Sequence, residues 1–120
     1  SRIVAGDALL ALPSSGLHTN GYSLVRKIFD STTSLTKRYT ELGKSLGEEL
    51  LEPHRFYYLE LKPALGIVKG LAHITGGGFE GNVPRVLPEG LAAHFEKGSW
   101  SVPPVFSIIQ KSGKVADSEM

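Results

Sequence analysis

Residues 71–79 read LAHITGGGF, in which a short apolar run enters three consecutive glycines. The run Leu71-Ala72-His73-Ile74 has the length and composition of a buried strand, and apolar residues recur at i, i+4, i+7 and i+8 from Phe79 onward. A strand, a glycine turn and a helix in this order are typical of layered α/β proteins. We therefore predict a strand before Gly76 and a helix that ends at Pro88-Glu89-Gly90.

A second pattern of a strand, a loop and a helix lies near the beginning of the chain. The apolar run Ala8–Leu12 predicts a strand that is buried on both faces. A polar loop follows, and the apolar positions between Tyr22 and Phe29 predict an amphipathic helix capped by Asn20 or Gly21.

The rest of the chain continues the alternation. It predicts a short strand at 56–59, a helix opened by Pro63, a strand at 91–95 and a helix at 104–111. Residues 31–47 contain few large apolar side chains, so we predict a surface excursion with at most a broken helix. The fold class that this order favours is α/β or α+β.

Composition restricts the function classes. The 120 residues carry 13 Lys and Arg against 12 Asp and Glu, a net charge of +1 without a basic block, and 41% hydrophobic residues. This composition fits one domain at 1–120. It does not favour electrostatic binding to nucleic acid or to a lipid surface. No apolar run approaches the roughly 20 residues of a membrane span, and the first residues do not resemble a secretory signal, so we expect a cytoplasmic protein.

Redox and metal chemistry are also disfavoured. The sequence has no Cys, which excludes disulfides and a thiol nucleophile. Its four histidines are scattered without a ligand spacing, so we predict no metal site.

Two polar loops could bind an anion. Residues 76–81, GGGFEG, satisfy the pattern G-x-G-x-x-G, and Glu96 follows about twenty residues later, as in a dinucleotide fingerprint. A plain glycine turn is the alternative, and the broader interpretation is a nest of backbone N–H groups for phosphate.

The other loop, Ser14–Gly21, concentrates hydroxyl, imidazole and amide groups that could donate to an oxyanion, although such residues also form ordinary turns. Each loop follows a predicted strand, so we expect the two loops to converge on one anion. The motif-like segment Gly43–Gly47 is a coincidence, since no buried strand precedes it. Only Glu80 places a carboxylate near either loop.

Several long blocks resemble the AIR synthetase (phosphoribosylformylglycinamidine cyclo-ligase) family. These blocks are LPSSGLHTNGYSLVRK at 12–27, LLEP at 50–53, AHITGGGF at 72–79 and NVPRVLP at 82–88. Gly98-Ser99-Trp100 continues the similarity. The similar blocks occur in the same order as in the family, up to Met120, and they cover only part of the family's carboxy-terminal half. We therefore expect a partial carboxy-terminal domain that stops within a secondary-structure element.

The resemblance implies a three-layer α/β/α domain with a mixed sheet. It also implies a ligase of purine biosynthesis that uses ATP to cyclise formylglycinamidine ribonucleotide to aminoimidazole ribonucleotide. ATP and Mg²⁺ would be held mainly by the amino-terminal half, which also forms the main contact of the family's homodimer. The fragment alone would be inactive.

The resemblance and the chemistry of the two loops assign the same site residues. His18 is expected to be catalytic. The predicted contacts to substrate or phosphate are Ser15, Gly16, Thr19, Asn20, Gly76, Gly77 and Gly78.

Other residues keep two interpretations. His73 would be either a buried structural histidine or a catalytic one, Asn82 either a helix cap or a ligand contact, and Asp7 either a site residue or equally a turn residue. His54 stands where the family usually has Thr or Ser, and Glu80-Gly81-Asn82 replaces the usual Glu-Asn pair, so no phosphate contact is assigned to His54 and no role to Glu80.

Three alternatives remain open. The first is another ATP-using member of the superfamily, such as a selenophosphate synthetase, a thiamine-monophosphate kinase or a hydrogenase-maturation protein, against which residues 13–27 argue. The second is a dinucleotide-binding domain built on residues 76–81. The third is an anion-binding module without catalysis.

Overall fold

Two helices carry most of the packing, as the sequence predicts. The computed structural model describes residues 2–120, and in it α1 spans Tyr22–Ile28 and α6 spans Pro104–Gly113. Gly21, with a φ of 83°, is the N-cap of α1, and Pro104 begins α6, where a missing N–H costs no hydrogen bond. Both helices therefore begin where the local sequence indicates.

The segment between α1 and residue 50 is more ordered than predicted. It contains α2 (Thr32–Thr36), an antiparallel pair of β1 (Arg38–Tyr39) with β2 (Lys44–Ser45), and α3 (Leu46–Leu50). Ser45 caps α3 in a capping box with Glu48, which explains the motif-like letters there. Most of residues 31–47 are exposed or half-buried, as predicted, but the expectation of a surface excursion was wrong at Leu46, which is fully buried.

These elements form a compact unit of Ser14–Arg55 and Trp100–Met120, which we call the second unit. Helices α1 and α6 contact each other, and α3 adds Leu46 to their core. The buried members of this core are Val25, Phe29, Leu46, Val105, Ile108 and Ile109.

The first unit comprises the chain up to Pro13 together with Phe56–Ser99. It contains α4 (Tyr58–Leu61), a 3₁₀ turn at Lys62–Ala64, α5 (Gly78–Asn82) and a 3₁₀ turn at Val83–Arg85. The strand expected at 56–59 is therefore wrong. The helix predicted after the glycines is formed as α5 and the 3₁₀ turn at Val83–Arg85, and it ends before Pro88 because Pro84 lacks the N–H that would continue the α-helical ladder.

The other predicted strands are not formed within residues 2–120, where the only strand pair is β1 with β2. Residues 8–12, 67–74 and 91–95 lie in extended or irregular backbone. Leu10 is 92% exposed, so the expectation of burial on both faces was wrong there. A strand needs a neighbouring strand for its backbone N–H and C=O groups, and none of the described residues provides one for these segments.

Asp7 forms a turn, which was one of its two interpretations. Its carboxylate accepts a hydrogen bond from the Val4 N–H at 2.9 Å and pairs with the Lys69 ammonium. The hydrogen bond from Lys69 and that from Val4 lower the pKa of Asp7. Over residues 2–120, no helix has the length and apolar character needed to cross a bilayer.

Candidate functional site

The polar loop before α1 is held by its own side chains. The backbone N–H of Ser15 donates to Nε2 of His18 at 2.9 Å, and the Ser15 hydroxyl oxygen lies 2.9 Å from the same nitrogen. The hydroxyl also donates to the Pro53 carbonyl at 2.9 Å. The loop is thus tied to the segment that follows α3.

The backbone contact assigns a tautomer to His18. A backbone N–H can only donate, so in this contact Nε2 of His18 accepts and the ring proton is assigned to Nδ1. His18 also has a φ of 55°, a left-handed conformation that is uncommon for a residue with a Cβ. Its ring packs on that of His54, with centroids 3.9 Å apart and planes inclined by 34°.

The remaining predicted residues of this loop differ in exposure. Thr19 and Asn20 are exposed, and the Asn20 N–H donates to the Leu17 carbonyl at 3.2 Å. The cap of α1 is Gly21, so Asn20 does not act as the cap. Gly16 is buried, and a Cβ placed there would lie 3.8 Å from a carboxylate oxygen of Glu49.

The second predicted loop is a tight glycine turn in the first unit. Gly77 has a φ of 90° and Gly78 a φ of 58°, both in the left-handed region. The Gly78 N–H donates to the Thr75 carbonyl at 3.1 Å, and the Gly81 N–H donates to the Gly77 carbonyl at 2.9 Å. Three successive glycines thus bring the chain sharply into α5.

Asn82 organises this turn from inside. Its side chain is 4% exposed, and its amide donates to the carbonyls of Gly78 at 2.8 Å, Gly76 at 3.3 Å and Thr75 at 3.5 Å. The Thr75 hydroxyl donates to the Asn82 amide oxygen at 3.3 Å. Asn82 therefore neither caps the N-terminus of α5 nor faces solvent, and sequence reasoning missed this function.

The position of Asn82 orients the peptide groups of the turn. In a trans peptide, the carbonyl and the following N–H point in opposite directions. Because the carbonyls of Thr75 and Gly76 face Asn82, the N–H groups of Gly76 and Gly77 point away from it. Neither N–H donates to a backbone carbonyl within residues 2–120. Two neighbouring N–H groups on one side of a turn form a nest that suits an anion.

One expectation about a site histidine needs correction. His73 was predicted in a buried run, but it is exposed, because residues 71–74 form no strand. His54, to which the sequence assigns no phosphate contact, packs on the ring of His18. No spacing or motif links positions 18 and 54, so the sequence offers no signal for this pair.

Two carboxylates of the second unit are paired with a lysine. Glu49 and Glu52 lie 3.0 Å and 2.9 Å from the Lys44 ammonium, and their hydrogen bonds raise the pKa of Lys44, that from Glu52 most. Glu80 is exposed on α5. Within residues 2–120, no three groups of the His, Asp or Glu type lie close enough to share a metal ion.

Comparison with known proteins assigns the family. The model of the family described as "AIR synthase related protein, C-terminal domain" matches residues 4–120. The chain belongs to this family. Helices together with the small β1–β2 sheet agree with its α/β type.

Relatives within this AIR synthase related family are identical to the chain at about half of the aligned positions. A protein of Caldicellulosiruptor bescii named phosphoribosylformylglycinamidine cyclo-ligase is 56% identical over 96% of this chain and 35% of its own length. Proteins of the same name from Shouchella clausii and Desulfitobacterium hafniense are 50% and 51% identical over 98% and 100% of this chain. They are covered over 35% and 36% of their own lengths. The chain thus spans about a third of the length of these relatives.

Proposed function

We propose that this chain is a partial carboxy-terminal domain of a phosphoribosylformylglycinamidine cyclo-ligase. The supporting observation is an identity of 50–56% to relatives of that name over nearly all of the chain. The complete enzyme would use ATP to cyclise formylglycinamidine ribonucleotide to aminoimidazole ribonucleotide, releasing ADP and phosphate. We place it in the cytoplasm, as a homodimer.

The reaction defines what this chain has to supply. ATP phosphorylates the formyl oxygen, a nitrogen of the substrate attacks the formyl carbon, and the oxygen leaves as phosphate. Catalysis of this kind depends on positioning and on stabilising charge on the phosphoryl oxygens. The proposal places the carboxylates for Mg²⁺ and the main ATP contacts in the other two thirds of the enzyme, as the resemblance to the family implies.

His18 is the proposed catalytic residue of the first loop. Its Nε2 accepts from Ser15, so we assign its Nδ1–H group to a hydrogen bond with an oxygen of the substrate or of the transferred phosphate. Thr19 and Asn20 are exposed beside it and provide a hydroxyl and an amide for the same ligand. Ser15 and Gly16 shape this loop.

The glycine turn is the proposed second anion contact. The N–H groups of Gly76 and Gly77 form the nest described above, and Gly78 gives the backbone its left-handed exit into α5. His73 and Asn82 support this loop in the proposal, Asn82 by its hydrogen bonds to the turn carbonyls.

The finer architecture is also a proposal. In the complete enzyme, the apolar segments 8–12 and 71–74 would pair as strands of a mixed sheet in a three-layer α/β/α domain. Their exposed side chains, such as Leu10 and Leu71, support this assignment, because apolar strands of that composition are usually covered.

The alternatives have less support. A dinucleotide-binding turn needs a helix long enough to pack on its strand, whereas α5 has five residues and is followed by Pro84. Other ATP-using members of the superfamily are disfavoured by the names of the relatives.

The central test is kinetic. In the complete enzyme, His18→Ala should reduce the rate of ring closure by about tenfold or more, while the fold stays intact by circular dichroism. The matched control is His94→Ala, because His94 is exposed and belongs to neither loop. Unchanged kinetics in the His18 variant would remove His18 from the site.

Calorimetric titration of the 120-residue chain tests the ligand class. We expect weak binding of formylglycinamidine ribonucleotide or inorganic phosphate, no binding of NAD, and no ATP turnover. Measurable NAD affinity that Gly78→Val abolishes would favour the dinucleotide alternative instead.

A further inference from the structure

In the second unit, the loop that carries Ser15 and His18 contacts two neighbouring residues, Pro53 and His54. The Ser15 hydroxyl donates to the carbonyl of Pro53, and the His18 ring packs on the ring of the next residue, His54. The loop that carries the proposed catalytic histidine is therefore clamped to residues 53 and 54 by one hydrogen bond and one ring contact.

His54 is itself oriented by the backbone. Its Nδ1 lies 2.8 Å from the carbonyl oxygen of Arg55, and since a carbonyl can only accept, Nδ1 of His54 carries the proton in this contact. The ring is thereby held at a fixed angle to its own segment. His54 is exposed whereas His18 is half-buried, so His54 covers an outer face of the His18 ring.

The His18 side chain needs such support. An imidazole can rotate about two side-chain torsions, and a half-turn about the second would replace Nε2 by a carbon at the Ser15 N–H. The left-handed backbone of His18 also costs free energy that neighbouring contacts must offset. A ring packed 3.9 Å away restricts this rotation directly.

We propose that His54 is a positioning residue, which holds the His18 ring with Nε2 on the Ser15 N–H and the proton on Nδ1. This inference rests on the proposed function for its catalytic consequence, because His18 is the group that would touch the ligand. It assigns a role to a position where the resemblance to the family predicts Thr or Ser.

The direct test is the tautomer of His18, read from ring ¹⁵N shifts of the histidine-labelled 120-residue chain at neutral pH. In the native chain His18 should show a single Nδ1–H tautomer. In His54→Thr, which removes the ring, we expect the ratio of this tautomer to the other to fall about fivefold, the factor that one neutral hydrogen bond represents. His54→Phe keeps a flat ring and should restore the native ratio.

His94→Thr is the matched control, since it removes an exposed histidine from the first unit. If His54→Thr loses the native amide spectrum, His54→Phe still tests the proposal. A folded variant that keeps a ring at position 54 must also keep the native tautomer of His18. A His18 tautomer that is unchanged in His54→Thr, or not retained in a folded His54→Phe, would overturn the proposal.

Activity separates this inference from the proposed function. In the complete enzyme, His54→Thr should lower kcat with a smaller change in KM, and His54→Phe should recover most of it. If His18→Ala is fully active while the His54 variants still change the tautomer, the positioning stands and the proposed role of His18 fails. If His18→Ala is inactive and the His54 variants leave the tautomer unchanged, the proposed role of His18 stands and the positioning role of His54 fails.

Discussion

The side-chain amide of Asn82 donates a hydrogen bond to the carbonyl oxygen of Gly78 at 2.8 Å, across the first turn of α5. The same amide reaches the carbonyls of Gly76 and Thr75. One buried side chain thus gives three carbonyls of the turn a further hydrogen-bond donor, and it leaves the N–H groups of Gly76 and Gly77 pointing outward.

Replacing Asn82 by Ala should therefore destabilise the first unit. The carbonyls of the turn lose their partner, and a buried hydrogen bond of this kind is worth about 1–3 kcal/mol when one side is removed. We expect the urea midpoint of first-unit amide signals to fall accordingly, and phosphate binding to weaken. Asn20→Ala is the control, since Asn20 is exposed, and equal midpoints for the two variants would contradict this function of Asn82.

Gly77→Ala and Gly76→Ala form a second matched pair. A Cβ at Gly77 would meet only ordinary contact, with Cα of Gly81 at 3.5 Å, so any cost comes from its φ of 90°. A residue with a Cβ pays about 1–2 kcal/mol in that region. Gly76 is not left-handed and has open space around it, so Gly76→Ala should leave the free energy of unfolding nearly unchanged.

Amide hydrogen exchange of Gly81 measures this difference locally, because its N–H donates to the Gly77 carbonyl. Exchange should accelerate in Gly77→Ala and not in Gly76→Ala. Equal exchange rates in both variants would show that the left-handed conformation of Gly77 is not required.

Sequence patterns predict correctly those elements whose backbone hydrogen bonds are formed within the element itself. The apolar faces that carry Val25 in α1 and Ile108 in α6 can be recognised locally because a helix needs no distant partner. The runs at 8–12 and 71–74 also have strand-like composition, but a strand forms only where another strand pairs with it. Within residues 2–120 that partner is absent, so composition alone predicted the wrong local structure.

The candidate site shows the same limit. From the donor-rich composition of residues 14–21 and from the three glycines, the sequence predicts anion binding, which stays a prediction. The contact of His18 with His54 joins positions 36 apart in the chain, and Asn82 acts on a turn that precedes it. Such contacts depend on how loops are folded back, which periodicity does not encode.

Leu46 and Leu51 test the unexpected core of the second unit. They lie five residues apart, yet Leu46 is fully buried and Leu51 is 82% exposed. Leu46→Ala should lower the free energy of unfolding by about 2–5 kcal/mol, and Leu51→Ala by no more than about 0.5 kcal/mol. Urea unfolding followed by the fluorescence of Trp100, the only tryptophan, measures both. Similar losses in the two variants would show that α3 does not pack on the core.

The capping box of α3 should make stability depend on pH in the acid range. Hydrogen bonds from the Ser45 N–H at 2.7 Å and from its hydroxyl at 2.8 Å lower the pKa of Glu48, with a smaller contribution from Arg38. The folded state therefore binds the Glu48 proton less readily than the unfolded state does. This contribution to stability is present above the ordinary glutamate pKa and is lost as the pH falls through the lowered value.

Glu48→Gln keeps a side chain that can form a capping box but removes the titration. Between about pH 7 and about pH 2, its urea midpoint should fall less steeply than that of the native chain, and the two curves should approach each other at the acid end. In the Ser45→Ala background the same Glu48→Gln substitution should have a smaller effect on the slope, because the hydroxyl that binds the carboxylate is gone. Parallel curves for Glu48→Gln and the native chain over the whole range would show that the box does not hold a charged Glu48.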